Sequence, residues 1–136
     1  MARDKVTRIY PLDLRLPEPL PDSWNKYDVI LASLAFSTVA KDKEDFRNVI
    51  DKVTNMLKPM GYLVIIDVIG GIFYTVGKTR FDILNLNRDD TMEVFRNAGF
   101  KINVWKELSK EGYTLMEKAQ CIAAADDFYF ACCRKF

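Results

Sequence analysis

Histidine is absent from all 136 residues. That removes the Ser-His-Asp and Cys-His forms of nucleophilic catalysis and the commonest zinc ligand. Cysteine is scarce, at three residues. Cys132 and Cys133 are adjacent in an apolar run and Cys121 stands apart, a spacing that suits neither a CxxC metal knuckle nor a disulfide framework. They read as buried thiols of a reducing compartment. An excess of one charge is lacking too: 20 Lys and Arg face 19 Asp and Glu, scattered along the chain, so there is no basic footprint for nucleic acid. No apolar run is long enough to span a bilayer, and the charged stretch Met1 to Arg8 lacks the apolar centre of a secretory signal. The expectation is a soluble cytoplasmic chain with neither nucleic acid nor membrane as partner. The Walker pattern and the GxGxxG fingerprint are also missing, which removes a phosphate or pyrophosphate cradle. Asp126 and Asp127 form an adjacent acidic pair without further ligands at useful spacing, which reads as a solvated turn rather than a metal site.

What is present reads as one domain over residues 1–136, long enough to bury a core. "KVTRIYPLDL" is β-rich and ends at Asp13, before Pro17, Pro19 and Pro21 hold the chain extended. "YDVILASLAF" has the continuous apolar run and small residues of a central, doubly buried strand. From Asp42, a plausible N-cap, Phe46, Val49, Ile50, Val53 and Leu57 follow helical spacing until Pro59 and Gly61 stop the helix. "YLVIID" is another apolar strand. "NRDDTMEVFRNAGF" is a helix capped by Asn87, with Met92 and Phe95 inward and an end at Gly99. "KINVWKEL" and "DFYFACCRKF" are strands, whereas the polar and alanine-rich stretch between them carries no clear signal. This alternation predicts an α/β domain with a mostly parallel sheet.

In such sheets ligands bind beyond the carboxyl ends of the strands. The rule singles out Asp13, Ser33 with Leu34, and Asp67, where the first three predicted strands stop. Each has a plainer reading beside the functional one. Asp67 could cap a turn, Asp13 could serve local backbone bonding before a proline-rich loop, Tyr74 could be core packing, and Gly70-Gly71 could serve a turn or the close approach of a ligand. Trp24 and Trp105 read as packing residues.

The order "PLDL…PLP…YDVILASLAF…LKPMGYLVIIDVIGGIFYTVGKTRF…NAGFKI…FYFACCRK", from about Val6 to Lys135, resembles the C-terminal half of the small-molecule amine methyltransferases that include nicotinamide, indolethylamine and phenylethanolamine N-methyltransferases. The "LKPxGxL" turn is shared by many methyltransferases, while Tyr74, Gly77 and Phe81 in "YxxGxxxF" are more particular to this group. The resemblance implies a Rossmann-like class I methyltransferase sheet, incomplete, holding the third to seventh strands of the family order 3-2-1-4-5-7-6, mostly parallel with an antiparallel last strand. It implies S-adenosylmethionine as cofactor and a small amine or pyridine-like molecule as acceptor. Asp13 and the backbone of Leu14 match positions at the adenine ring, and Ser33 and Leu34 positions near the methionyl part and the acceptor. Asp67, Gly71 and Tyr74 match acceptor-facing positions, with Asp67 and Tyr74 the candidate catalytic pair.

The departures are informative. Ser37 stands where relatives carry an acid for the amine, Ala35 where one relative has a cysteine, and Met60 replaces the first glycine of the usual "PGG" turn. If that turn needs a positive φ, Gly61 is the residue expected to supply it. The family's first two strands, with the glycine-rich loop, have no counterpart in these 136 residues. The expected consequence is a chain with little activity alone, or a non-catalytic binding module. The family's fourth strand would have an open apolar edge, covered either by the first predicted strand or by a homodimer partner.

Overall fold

The protein is described from a computed structural model over residues 2–21, 24, 26–112 and 123–136. Cys121 and most of the polar, alanine-rich stretch fall outside the described residues.

The apolar runs form strands β1 (Tyr27–Ser33) and β2 (Leu57–Val76), followed by β3 (Thr79–Asp82), β4 (Phe100–Glu107) and β5 (Ala123–Lys135). The sheet order is β1-β2-β5-β4, with β3 paired to β2 beyond its contact with β1. β1 runs parallel to β2, and β5 lies antiparallel between β2 and β4. The expected contiguous set of four, with its last strand reversed, is observed, and β3 adds a second antiparallel strand that was not expected.

Helix α2 (Lys43–Met56) starts where expected, because the Asp42 side chain accepts from the Asp45 amide. Its carbonyls Thr54 O and, one residue on, Leu57 O are satisfied from across the molecule by Lys135 Nζ at 2.7 and 2.9 Å. Helix α3 (Arg88–Asn97) is capped by Asn87, whose side chain accepts from the Asp90 amide at 2.8 Å. It buries Thr91, Val94 and Phe95, while the expected inward Met92 is half-exposed. A four-residue helix, α1 (Phe36–Val39), follows β1 and was not expected from the sequence.

Strand alternation sends Leu63, Ile65 and Asp67 of β2, with Tyr129, Ala131 and Cys133 of β5, to the face covered by α2 and α3. Phe95 centres this core, edge-on to Phe46, Phe100 and Tyr129 at 6.0 to 6.5 Å between ring centroids. Trp105 stacks on Tyr129 at 4.4 Å, a packing role as expected.

Three expectations are corrected. The segment Val6–Leu12 is not a strand: it follows a 3-10 turn (Ala2–Lys5) and pairs with no strand of the sheet, with Ile9 94% exposed. β propensity without a ladder partner does not make a strand, so this segment does not cover β1, and Val29 and Leu31 stay exposed along that edge. Asp67 does not end its strand, because β2 runs on to Val76 and folds back on β3 through a two-residue turn at Gly77, φ +60°. Asp127 is in β5 rather than in a solvated turn; it is buried and accepts from the Ser109 amide at 3.1 Å and the Ser109 hydroxyl.

The "LKPMGYL" stretch also resolves differently. Met60, not Gly61, takes the positive φ, at +68°. Gly61 is needed for space instead: a Cβ there would meet the Asp28 carbonyl oxygen at 2.9 Å. Between Tyr27 and Val29 the β1–β2 register slips over this irregularity.

Left-handed backbone costs an L-residue roughly 1–2 kcal/mol, and glycine's extra chain entropy returns about 0.5–1 of that. Met60→Gly should therefore stabilise the chain by about 0.5–1 kcal/mol. Gly61→Ala should destabilise it by about 1–3 kcal/mol through the backbone clash. Urea denaturation of the two variants checks both signs.

Candidate functional site

The link from β1 to α2 turns sharply at Leu34, whose φ is +51° and whose amide donates to Ile66 O at 2.8 Å. That turn delivers α1 onto the end of the sheet, with Ser37 directly over Asp67. The Asp67 carboxylate accepts from the Ser37 amide at 3.1 Å, from the Ser37 hydroxyl and from the Val68 amide at 2.9 Å. Both residues are buried, Asp67 to 1% exposure. Ser37 in turn accepts on its carbonyl from the Leu84 amide at 3.0 Å, and Gly70 donates to Leu86 O at 2.8 Å. The loop after β3 is thereby tied down over β2.

Above this clamp lies a cavity of about 230 Å³ walled by Leu34, Val68, Tyr74, Ile83, Ala125 and Phe128, with Ser37, Thr38 and Ala124 completing it. Next to it is an open cleft of about 970 Å³ that carries Asp13, Leu14 and Arg15. Thr38, Tyr74 and Ile83 line both spaces. Tyr74 is half-buried and stacked on Phe81 at 5.1 Å between centroids.

The expected site residues are distributed unevenly over this geometry. Leu34, Ser37 and Tyr74 come together at the small cavity, and Asp13 and Leu14 at the cleft beside it. Ser33 is exposed at the last position of β1 and lines neither space. Asp67 is beneath the cavity rather than in it: its oxygens are turned to three donors of α1 and β2, a position that sets the wall without reaching an acceptor. Gly71 is walled off as well, since a Cβ there would overlap Leu84 O and the Ile83 side chain. Its role here is to admit that loop at close range.

Asp13 is not a strand end but a turn residue. Arg15 donates to it from its backbone amide at 3.0 Å, from Nε at 2.9 Å and from Nη2 at 2.8 Å. Those bonds hold the Asp13 pKa down at about 2, so the carboxylate is charged at neutral pH. Burial pushes the Asp67 pKa the other way, above its ordinary 3.8, against the opposing pull of its hydrogen bonds from Ser37 and Val68. Among the described residues no group of three or more His, Cys, Asp or Glu is placed to hold a metal ion, and no helix is long and apolar enough to cross a membrane.

Sequence reasoning missed Thr38, Val68, Ile83, Ala124, Ala125 and Phe128 as cavity residues. The signal for two of them was the run Ala123 to Ala125, small residues on a strand that otherwise carries Phe and Tyr, which leaves room opposite β2.

The NNMT/PNMT/TEMT family matches residues 1–136. The chain belongs to this family. Among its relatives, phenylethanolamine N-methyltransferase of Homo sapiens is 24% identical over 103 residues, 74% of this chain and 36% of that protein. Nicotinamide N-methyltransferase of Sus scrofa is 29% identical over 105 residues, 77% of this chain and 37% of that protein. The chain spans little more than a third of the length of these curated relatives. Solved structures with the same fold include a SAM-dependent methyltransferase of Methanosarcina mazei, with a TM-score of 0.65 at 14% identity, covering 89% of this chain and 65% of that one. An S-adenosylmethionine-dependent methyltransferase of Clostridium acetobutylicum has a TM-score of 0.62 at 12% identity, covering 98% and 67%. The family's fold is therefore the fold of this chain, a partial Rossmann-like methyltransferase sheet.

Asp67→Asn keeps the side chain's shape but sets a donor where an acceptor is needed. It should cost about 1–3 kcal/mol in urea denaturation at pH 7. Because the folded protein holds the Asp67 proton more tightly than the unfolded chain, stability from this group is full below pH 3.8 and falls as pH rises through the raised value. The stability difference between the parent and the Asn variant should narrow over that interval. A difference that widened would contradict the assigned cause.

Proposed function

We propose that this chain is the acceptor-side portion of an S-adenosylmethionine-dependent N-methyltransferase acting on a small amine or pyridine-like molecule, with little turnover by these 136 residues alone. The observation that carries the reading is the adjacency of the two spaces. A cleft bearing an ionised carboxylate, Asp13, shares Thr38, Tyr74 and Ile83 with a small apolar cavity. Family membership and the names of the relatives support it.

S-adenosylmethionine, when bound, supplies a methyl group on a sulfonium. The residues here fit that cofactor in two respects: Asp13 is an anionic hydrogen-bond acceptor, and the cleft is large enough for a nucleoside. In this reading Asp13 and the Leu14 backbone receive the adenine. Leu34 and Tyr74 orient the acceptor, and Ser37 forms the cavity floor. Asp67 is a positioning residue that holds Ser37 and, through the Ser37 carbonyl, the Leu84 loop. In-line displacement gains most from such orientation.

A second copy of this chain is the partner we propose for the open edge of β1. Antiparallel pairing centred on Ile30 would set Val29 of each copy opposite Leu31 of the other, joining residues that are 56% and 71% exposed. The edge carries one acid, Asp28, already bound by Lys58 Nζ at 2.9 Å, so no free charge opposes the pairing. Sedimentation should give a dimer, and Leu31→Lys a monomer. A parent chain that stays monomeric at every concentration sinks the dimer.

Calorimetric titration with S-adenosylhomocysteine tests the cofactor reading. Micromolar binding is expected, weakened about tenfold by Asp13→Ala, or about 1.4 kcal/mol. Absence of heat up to millimolar ligand would reject cofactor binding by this chain and favour the second reading, a methyltransferase-like binding module. The irregular, exposed course of the segment that carries Asp13 is the observation on that second side.

A further inference from the structure

Where β1 begins and α2 ends, the chain leaves an open pocket of about 250 Å³ that shares no lining residue with the cavity or the cleft of the candidate site. Its apolar walls come from Pro17, Pro19, Pro21, Trp24, Tyr27 and Met56. The prolines have a fixed φ, so this wall is held at little cost in chain entropy. Trp24 is held too, edge-on to Tyr10 at 5.0 Å between ring centroids and with the Arg8 guanidinium 4.8 Å from its ring. The polar lining is unbalanced in charge. Lys26 and Lys52 bring two ammonium groups against the single carboxylate of Glu18, and Asn55 adds a neutral amide. Among the described residues neither the Lys26 nor the Glu18 side chain has a hydrogen bond or ion pair, so Glu18 does not neutralise either lysine. Lys26 instead adds its charge to that of Lys135, whose pKa falls below its ordinary 10.5 through burial first and this like charge second. Lys52 donates one proton to Leu14 O at 2.8 Å, which fixes the ammonium and leaves it two further donors.

We propose that this pocket is a second ligand site, which binds an organic monocarboxylate with a flat apolar body of one or two rings and places its carboxylate between Lys26 and Lys52. An apolar cavity on the order of 150 Å³ holds one benzene ring, so the body fits. Its faces lie against proline and indole surfaces, where it loses water and gains close contact. The carboxylate accepts charge-assisted hydrogen bonds from two ammonium groups that lack an acid of their own. A neutral amide of the same shape keeps the apolar contact and loses the charge, and an amine of the same shape meets two like charges. The site is independent of the enzymatic reading, because none of its residues lines the cofactor cleft or the small cavity.

The test is a matched set of probes, indole-3-acetate, indole-3-acetamide and tryptamine, titrated at pH 7 and low salt and followed by NMR of the Trp24 indole N–H and the Met56 methyl. Trp105, stacked on Tyr129 away from the pocket, is the internal control. Indole-3-acetate should move Trp24 and Met56 with an affinity about fivefold above that of indole-3-acetamide, and tryptamine should bind more weakly than either. Lys26→Gln should weaken indole-3-acetate about threefold and Glu18→Gln should strengthen it about twofold. Both positions are exposed, so both variants keep the fold, and a change of opposite sign is not produced by a general loss of structure. Indole-3-acetate that leaves Trp24 and Met56 unmoved at millimolar concentration overturns the proposal. So does indole-3-acetamide binding as tightly as the acetate, or the two variants shifting the affinity in the same direction. The S-adenosylhomocysteine titration reads a different space, and neither of its outcomes alters this one.

Discussion

The buried carboxylate of Asp67 is the constraint on which the site depends. It lies in the central strand, out of water, and is stabilised there by the Ser37 amide, the Ser37 hydroxyl and the Val68 amide. One residue thus joins β2 to α1. Through the Ser37 carbonyl and the Leu84 amide the same connection reaches the loop after β3. Remove the acid and three elements lose their common anchor, with three buried donors left unpaired. Asp127 makes the same kind of clamp on β5, accepting from the Ser109 amide and hydroxyl and from the Phe128 amide. A strand aspartate that holds a serine of the adjoining segment is thus used twice in this sheet.

Helices α2 and α3 cover one face of the sheet built around that anchor, and Val68, Ile83 and Ala125 form a second, smaller buried cluster. α2 and α3 pack together on the Phe46, Phe95 and Tyr129 side. Ile66, Val104, Val29 and Leu31 remain exposed along the other face and the β1 edge. Strands as apolar as "YDVILAS" and "YLVIID" are written for burial on both faces. Exposed apolar surface of this kind is the signature of an interaction surface, and it gives the dimer proposal its physical motive. The open cleft lies at the rim of the same sheet, where Asp13 and Leu14 come close to α1.

Much of the fold was legible in the sequence because its signals are local. Asp42 and Asn87 cap the helices they precede, since an oxygen three residues before a bare amide is a short-range arrangement. The apolar strands and the 3.6-residue period of α2 are equally local. The failures share a cause. Val6–Leu12 has strand composition and no strand partner, and strand length in β2 is set by pairing with β5 and β3 rather than by the end of an apolar run. Positive φ fell on Met60, while Gly61 is required for space beside the Asp28 carbonyl, a neighbour 33 positions away in the chain.

By itself the sequence determined the α/β alternation, the helix caps, the absence of histidine chemistry and the family to which the chain belongs. Tertiary structure alone decided where the functional groups point. Asp67, singled out as a carboxylate for a ligand, is turned inward because Ser37 and Val68 present three donors to it. Tyr74 and Leu34, matched in the sequence to positions toward the acceptor, do face the cavity, because β3 and α1 close around them. Which side of a strand sees water and which sees a helix depends on packing between distant elements, and that information has no local mark in the chain.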